Sequence, residues 1–468
     1  MTDGTRNSTD VTLEPEQRVR LRSIGPGLVV AATGIGAGDL VATLVAGSRF
    51  GYSLLWAVVI GCVIRIAFAE GAARWHLATG RTLFDGWRTI GRWTLYYFGF
   101  YSVIWGFVYG ATAMSASALP LTALFPGFVD LKVWGVAVAM VGLVFVWFNR
   151  YAVIERVMTV LVGLMFLIVV VLAVRVGPNL GDTVGGLVPS LPEGSLLYTL
   201  GVIGGVGGTI TMAAYGYWVN AKGWHTPGWM RMMRLDNSMA YVATGIFTIA
   251  MIIVGAELLH ATSITLAEGN RGLLDVGEEL ERRFDVVTAK LFLIGFFATS
   301  FSSLIGVWHG VSLLFADYVA HLRAGADGTA EGTRAAHTPE TSTAGRIGAE
   351  ADAAGTGTTG TDAAGEGGAA AVAAGVRERS LPFRAYLLWL SVPPIGLLFL
   401  DRPFGLVIAY GVLGSLFLPF LAGTLLWLLN RSPVPQRWRN GWLSNLMLGL
   451  AALLFVVLCT EQIRTLPW

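Results

Sequence analysis

Asp39 is the only carboxylate in the apolar run 25–48, and it directly follows the glycine-dense stretch 33–38. Glycines at this density predict an interruption of the helix, which frees backbone carbonyl groups. A carboxylate beside freed carbonyls is an oxygen-rich environment, which Mg²⁺ and Mn²⁺ favour. The stretch around Gly36 and Asp39 therefore predicts a cation site, an ammonium partner or a proton carrier. The alternative is a structural ion pair between Asp39 and Arg65.

A second glycine-dense run covers residues 204–208 and is followed by polar and sulfur-bearing side chains. The Met212 thioether is a ligand for transition metals softer than Mg²⁺, although a methionine also fills packing gaps in membrane proteins. Around it lie the hydroxyls of Thr209, Thr211 and Tyr215. Hydroxyls with an aromatic ring suit an organic solute better than a dry metal site, so both kinds of substrate stay open.

Other charged side chains inside apolar runs are expensive at membrane depth and are candidates for function. Arg65 and Glu70 lie in one run and are candidates for a proton route or salt-bridge network with Asp39. The alternative for Glu70 is that its side chain reaches back to the membrane interface. Glu257 and His260 end a later run, and we consider them for a gate or a proton route.

The bulk composition identifies the class of protein. Of the 468 residues, 54% are hydrophobic and 13% are charged, and the mean hydropathy is +0.64. Soluble domains carry roughly 25% charged residues, so this composition predicts a polytopic membrane protein whose first partner is the lipid bilayer. The net charge of +2 provides no basic field for nucleic acid.

The motifs that would indicate an enzyme or an ATP pump are missing from the sequence. It contains no Ser-His-Asp set or paired carboxylates at membrane depth, and no nucleotide-binding G-x-x-x-x-G-K-[ST] motif. Two widely separated cysteines provide neither a disulfide framework nor a cysteine-based metal site. We therefore predict no enzyme, no catalytic residues and no cofactor; a divalent metal ion would be a substrate.

Eleven runs are apolar and long enough to cross a bilayer as helices. They cover residues 25–48, 52–72, 92–117, 131–148, 156–176, 195–218, 238–260, 287–320, 384–400, 404–429 and 441–461. With the N-terminus inside, 22 Lys and Arg lie on the inner side and 9 on the outer side, with Arg65 within a span. This bias predicts a multi-pass plasma-membrane protein with a cytoplasmic N-terminus and an external C-terminus.

The chain divides into four regions by composition. Residues 1–23 are a polar tail, and 24–323 hold the first eight spans. Residues 324–377 are rich in Ala, Gly and Thr and lack apolar periodicity, so we predict a disordered cytoplasmic loop. Residues 378–468 hold the last three spans.

The two glycine-dense spans are the first and the sixth. Because they are five spans apart, a repeat that relates them is inverted in the membrane. Glycine-interrupted helices at matching positions of two halves are a sequence indication of a transporter binding site. The alternative is that the glycines only allow close helix packing.

Several local patterns resemble the Nramp family of divalent-metal transporters. They include Gly25-Pro26-Gly27 before span 1, the stretch from Ala72 to Gly80, the entry into span 5 at 151–165, span 8 at 297–306 and LFLPF at 416–420. The resemblance covers most of residues 24–460. It implies an all-α membrane protein with the LeuT-like fold, in which two inverted five-helix repeats carry broken helices 1 and 6.

The metal motifs of the family are replaced in this chain. The Asp-Pro-Gly-Asn of span 1 falls on Gly36-Ala37-Gly38-Asp39, and the Met-Pro-His of span 6 falls on Thr211-Met212-Ala213. A one-residue slip would place Met212 on the family's methionine. The chain is therefore identified as a divergent member of the family.

The function that the resemblance implies is secondary-active transport of a divalent cation of the Mn, Fe or Mg type, with protons as a candidate coupling ion. Two alternatives stay open: a transporter of a small organic solute with the same fold, and a receptor-like membrane protein without transport. The sequence leaves the oligomeric state undefined.

Overall fold

A computed structural model describes residues 25–205, 208–260, 271–335, 380–400 and 403–465. These residues form helices and connecting turns, with no strand in any of the ranges. The predicted N-terminal tail 1–23 lies outside the described residues, and so does the predicted loop from residue 336 onwards.

Sixteen α-helices are numbered here in chain order within those ranges. They are α1 Pro26–Gly34, α2 Ala37–Phe50, α3 Leu55–Thr79, α4 Leu83–Ile90, α5 Arg92–Leu124, α6 Leu131–Phe148, α7 Tyr151–Arg175, α8 Leu180–Gly185, α9 Leu196–Gly205, α10 Thr211–Ala221, α11 Met230–Gly255, α12 Arg271–Arg283, α13 Val286–Ala335, α14 Leu381–Ser391, α15 Pro403–Leu429 and α16 Trp442–Thr465. A π-helix, Ala256–His260, extends α11, and a 3₁₀-helix, Pro393–Leu400, follows α14.

Seven helices in the described ranges are long and apolar enough to cross a membrane, and two shorter apolar helices lie near the C-terminus. The first and sixth predicted spans are each divided into two shorter helices, so they are not among these seven long helices. This arrangement is consistent with the eleven predicted spans.

Two spans have ends that follow from their sequences. Span 9 is α14 followed by the 3₁₀-helix Pro393–Leu400, because two successive prolines cannot continue the hydrogen bonding of an α-helix. The helix of span 8 continues to Ala335, so the first residues of the predicted 324–377 loop are helical.

The outer helices expose large apolar side chains, as expected of a surface in contact with lipid. Phe100 of α5 is 74% exposed and Phe148 of α6 is 77% exposed. The central helices bury their tryptophans instead, including Trp75, Trp218 and Trp308. The core therefore lies around α1, α3, α10 and α13, and these helices hold the site described next.

Short helix α4 follows span 2 in the chain and contacts the end of span 8. Thr82 caps the helix in a reciprocal capping box with Asp85. The Nε2 of His321, on α13, lies 2.9 Å from Asp85 Oδ1. This hydrogen bond, together with those to Thr82, lowers the pKa of Asp85 to about 2, so the carboxylate is ionised at physiological pH.

Candidate functional site

The two helix breaks face each other in the core. Helix α1 ends at Gly34 and α2 begins at Ala37, while α9 ends at Gly205 and α10 begins at Thr211. A Cβ placed on Gly208 would lie 3.3 Å from the Cα of Gly34, so the two backbones are in direct contact. The predicted breaks in spans 1 and 6 are confirmed, and each places the end of one half-helix beside the start of the next.

Asp39 lies in the first turn of α2, immediately after the break in span 1. Its side chain is outside the described part of the structure. The backbone therefore places this carboxylate-bearing residue at the start of a half-helix, while its role stays a prediction. Among the side chains that the structure describes, no group of three or more His, Cys, Asp or Glu is arranged to hold a metal ion.

Two hydroxyl groups lie at the break in span 6. Thr209 and Thr211 are 7% and 1% exposed. Within the described residues, neither hydroxyl has a hydrogen-bond partner. The packing around them is tight, because a Cβ on Gly414 of α15 would lie 2.7 Å from Thr209 Cγ2. Buried hydroxyls without partners are rare in proteins, and here they place two oxygen atoms beside an interrupted helix.

Span 8 supports the break in span 1 from the other side. Ser303 donates its hydroxyl to the carbonyl oxygen of Thr33 at 3.0 Å, and the Tyr109 hydroxyl donates to the Ser303 carbonyl oxygen at 3.2 Å. Next to these groups is a cavity of about 20 Å³, lined by Gly36, Tyr109, Thr112, Ala113, Ala116, Ser300, Ser303 and Tyr410. This volume is enough for one water molecule, so Gly36 borders a small chamber with several hydroxyls in its wall.

Arg65 extends from α3 to the break in span 6. Its side chain is fully buried. The Nη1 atom donates to the carbonyl oxygen of Gly208 and lies 3.5 Å from Met212 Sδ. In the described part of the structure Arg65 contacts Gly208 and Met212. Its predicted pairing with Asp39 lies outside the described side chains and stays a prediction.

Glu70, five residues after Arg65 on α3, forms ion pairs with two other arginines. Its carboxylate lies 3.1 Å from Arg74 and 2.9 Å from Arg234 on α11. Arg74 also donates to Asn440 and Ser444, near the start of α16. Glu70 therefore takes part in a contact among three spans.

Glu257 and His260 connect the end of span 7 to the end of span 1. The Tyr52 hydroxyl donates to Glu257 Oε1 at 2.6 Å. The Nδ1 of His260 lies 2.9 Å from the Ser48 carbonyl oxygen. We call these two contacts the α2 clamp, because they hold the far end of α2 against α11.

A matching contact holds the other end of span 1, and it rests on a residue that the sequence reasoning missed. Asp236 of α11 is fully buried. It accepts hydrogen bonds from the backbone N–H groups of Gly25 and Gly27, at 2.9 and 2.6 Å. The Tyr215 hydroxyl donates to the same carboxylate at 2.9 Å. The Tyr215 hydroxyl is thus engaged in this contact, which we call the α1 clamp.

Gly208 itself gives a testable consequence of this geometry. Its φ of 88° lies in the left-handed region, and it touches Gly34. Gly223 has the same φ of 88° but would have nothing within 4 Å of a Cβ. A left-handed backbone costs an L-residue about 1–2 kcal/mol. We expect Gly208→Ala to lower the unfolding temperature in detergent by more than Gly223→Ala, because only the first change places a methyl group against Thr211 Oγ1, at 2.6 Å, and against Gly34 Cα, at 3.3 Å. Equal shifts would contradict the close approach.

Comparison with known proteins tests the predicted family. A family model described as natural resistance-associated macrophage protein-like, abbreviated Nramp, matches residues 27–328. The chain belongs to the Nramp family. This match covers more than half of the chain and includes both breaks, Arg65, Met212, the α2 clamp and all of the α1 clamp except Gly25.

Relatives in the Nramp family are distant in sequence. The divalent metal cation transporter MntH of Chromohalobacter salexigens is 26% identical over 253 residues, which are 51% of this chain and 57% of that protein. MntH of Brucella suis is 24% identical over 271 residues, which are 54% of this chain and 57% of that protein. The matched part of the chain thus spans somewhat more than half the length of these curated relatives.

Solved structures show the same fold over nearly the whole chain. A manganese transporter from Eremococcus coleocola, in complex with an aromatic bis-isothiourea compound, has a TM-score of 0.71 at 14% identity. The alignment covers 98% of this chain and 90% of that one. Mhp1, a nucleobase-cation-symport-1 family transporter in a closed conformation, has a TM-score of 0.51 at 14% identity, covering 97% and 94%. These likenesses confirm the predicted LeuT-like fold.

Proposed function

We propose that this Nramp-family protein is a secondary-active transporter that binds a divalent cation, of the Mn, Fe or Mg type, between its two broken helices. The observation that carries the proposal is the direct contact of the two breaks, shown by the approach of Gly208 to Gly34. Interrupted helices that meet in the core of a transporter free carbonyl groups and helix ends for a solute. The curated relatives, which are named divalent metal cation transporters, support the choice of substrate.

The residues around the breaks provide the ligands of the proposed site. Asp39 supplies the negative charge, and the unpartnered hydroxyls of Thr209 and Thr211 supply neutral oxygens. Met212 supplies a thioether, which favours transition metals over Mg²⁺. The freed carbonyl groups of the breaks complete an oxygen-rich set of the kind that divalent ions bind.

The two clamps provide the mechanism for alternating access. Span 1 is held at one end by Asp236 and at the other end by Glu257 and His260. All three residues belong to α11 and its π-helical extension. Opening the site to one side requires release of one clamp while the other holds. Glu257 and His260 are also the groups that we propose for proton coupling, because a carboxylate and an imidazole both exchange protons.

A small organic solute is the second candidate. The fixed guanidinium of Arg65 beside Gly208 favours it, since a positive charge in the site attracts an anionic group of a solute and repels a free cation. The divalent-cation transporter therefore predicts protein-dependent transport of divalent ions, whereas the organic-solute transporter predicts none.

Uptake by the purified protein in liposomes tests the proposed function. Vesicles with a trapped metal-sensitive dye should report Mn²⁺ entry that depends on the protein and increases when an inward proton gradient is imposed. Liposomes without protein are the control for leakage. Entry at the rate of the empty liposomes, for each of Mn²⁺, Fe²⁺ and Mg²⁺, would contradict the proposal and favour the organic solute or the receptor-like alternative.

A further inference from the structure

A positively charged side chain already occupies part of the proposed site. The guanidinium of Arg65 donates to the Gly208 carbonyl oxygen and lies 3.5 Å from Met212 Sδ. A backbone carbonyl of the broken helix and the Met212 thioether are both groups that the proposed function assigns to the metal ion. The side chain and the substrate thus compete for the same atoms.

The surroundings of Arg65 keep the charge in place. Guanidinium groups do not lose their proton in proteins. The side chain is fully buried, and the ring of Phe455 on α16 lies 5.7 Å from its guanidinium carbon. That ring face gives a cation a second favourable contact. Within the described residues, the guanidinium therefore contacts the broken helix and also lies near an aromatic ring of α16.

We propose that Arg65 is a resident cation of the transport site, which occupies the Gly208 carbonyl and the Met212 thioether until a divalent ion displaces it towards Phe455. This inference rests on the proposed function and names the residue that determines its selectivity. A monovalent ion carries no more charge than the guanidinium that it would replace. A divalent ion carries twice that charge and is attracted more strongly by the negative and polar groups of the site, so Arg65 favours divalent over monovalent cations. By returning to the same groups, Arg65 also promotes release of the bound divalent ion.

Calorimetric titration of the purified full-length protein with Mn²⁺ tests the proposal. Arg65→Gln removes the charge, and we expect it to bind Mn²⁺ at least tenfold more tightly than the wild type. Arg74→Gln is the matched control, because Arg74 is on the same helix and 3% exposed but contacts Asn440 and Ser444 instead of the break. It should bind Mn²⁺ like the wild type.

The possible outcomes distinguish a failure of the resident-cation proposal from a failure of the proposed function. Equal or weaker Mn²⁺ binding by Arg65→Gln, with clear binding by the wild type, overturns the resident cation and leaves the proposed function in place. No Mn²⁺ binding by any variant overturns both. If Arg65→Gln does not fold, Arg65→Lys retains the charge on a shorter side chain. It should then bind Mn²⁺ more tightly than the wild type, and unchanged binding overturns the inference.

Discussion

Asp39→Ala is expected to abolish Mn²⁺ uptake while leaving the protein folded. Asp39 is the only carboxylate in the apolar run of span 1, and it lies in the first turn after the break. Removing one partner of a buried charge pair costs about 3–5 kcal/mol, which corresponds to roughly two to four orders of magnitude in affinity. Uptake into liposomes measures the loss, and the unfolding temperature in detergent measures folding.

The control for Asp39→Ala is the same change at an exposed carboxylate. Asp130 precedes α6, is exposed, and makes no side-chain capping bond. Asp130→Ala should therefore retain wild-type uptake. If Asp39→Ala transports and binds Mn²⁺ as the wild type does, Asp39 is not part of the site.

Met212→Ala is expected to weaken Mn²⁺ and Fe²⁺ binding about tenfold and to change Mg²⁺ binding much less. The reason is that a thioether is a ligand for the softer transition metals and contributes little to a hard ion. Met212 is fully buried and lies one residue after Thr211 at the start of α10. Titration with each of the three ions gives the change in selectivity.

Met212→Leu separates ligand chemistry from packing. Both variants remove the thioether, but leucine retains most of the side-chain volume and leaves no large cavity. The same shift in selectivity in both variants supports a metal–thioether contact. A shift in Met212→Ala alone would instead show that the cavity changed the site. Equal losses for Mn²⁺ and Mg²⁺ would contradict a thioether ligand.

Much of the fold was predictable because its signals are local in the sequence. A dense run of glycines destabilises a regular helix, so the breaks at Gly36 and Gly208 could be predicted from the amino-acid sequence alone. The length of each apolar run likewise defined the spans, and the resemblance at Gly25-Pro26-Gly27 indicated the family. The structure gives that motif a physical role, because two of its N–H groups bind Asp236.

The contacts between spans were not predictable in the same way. Asp236 was missed because the predicted seventh span began two residues after it, at 238, whereas α11 begins at Met230. A carboxylate placed inside the helix would have stood out as Asp39 did. The contact of Arg65 with the Gly208 carbonyl was also missed, since this carbonyl is a backbone group whose position depends on how spans 2 and 6 pack.

The measurement that tests the proposed metal site most directly is anomalous X-ray diffraction at the manganese absorption edge, from crystals of the protein grown with Mn²⁺. A site between the broken helices predicts one strong anomalous peak close to Gly34 and Gly208, within bonding distance of Asp39 and Met212. Peaks confined to the protein surface, with none between the breaks, would contradict it.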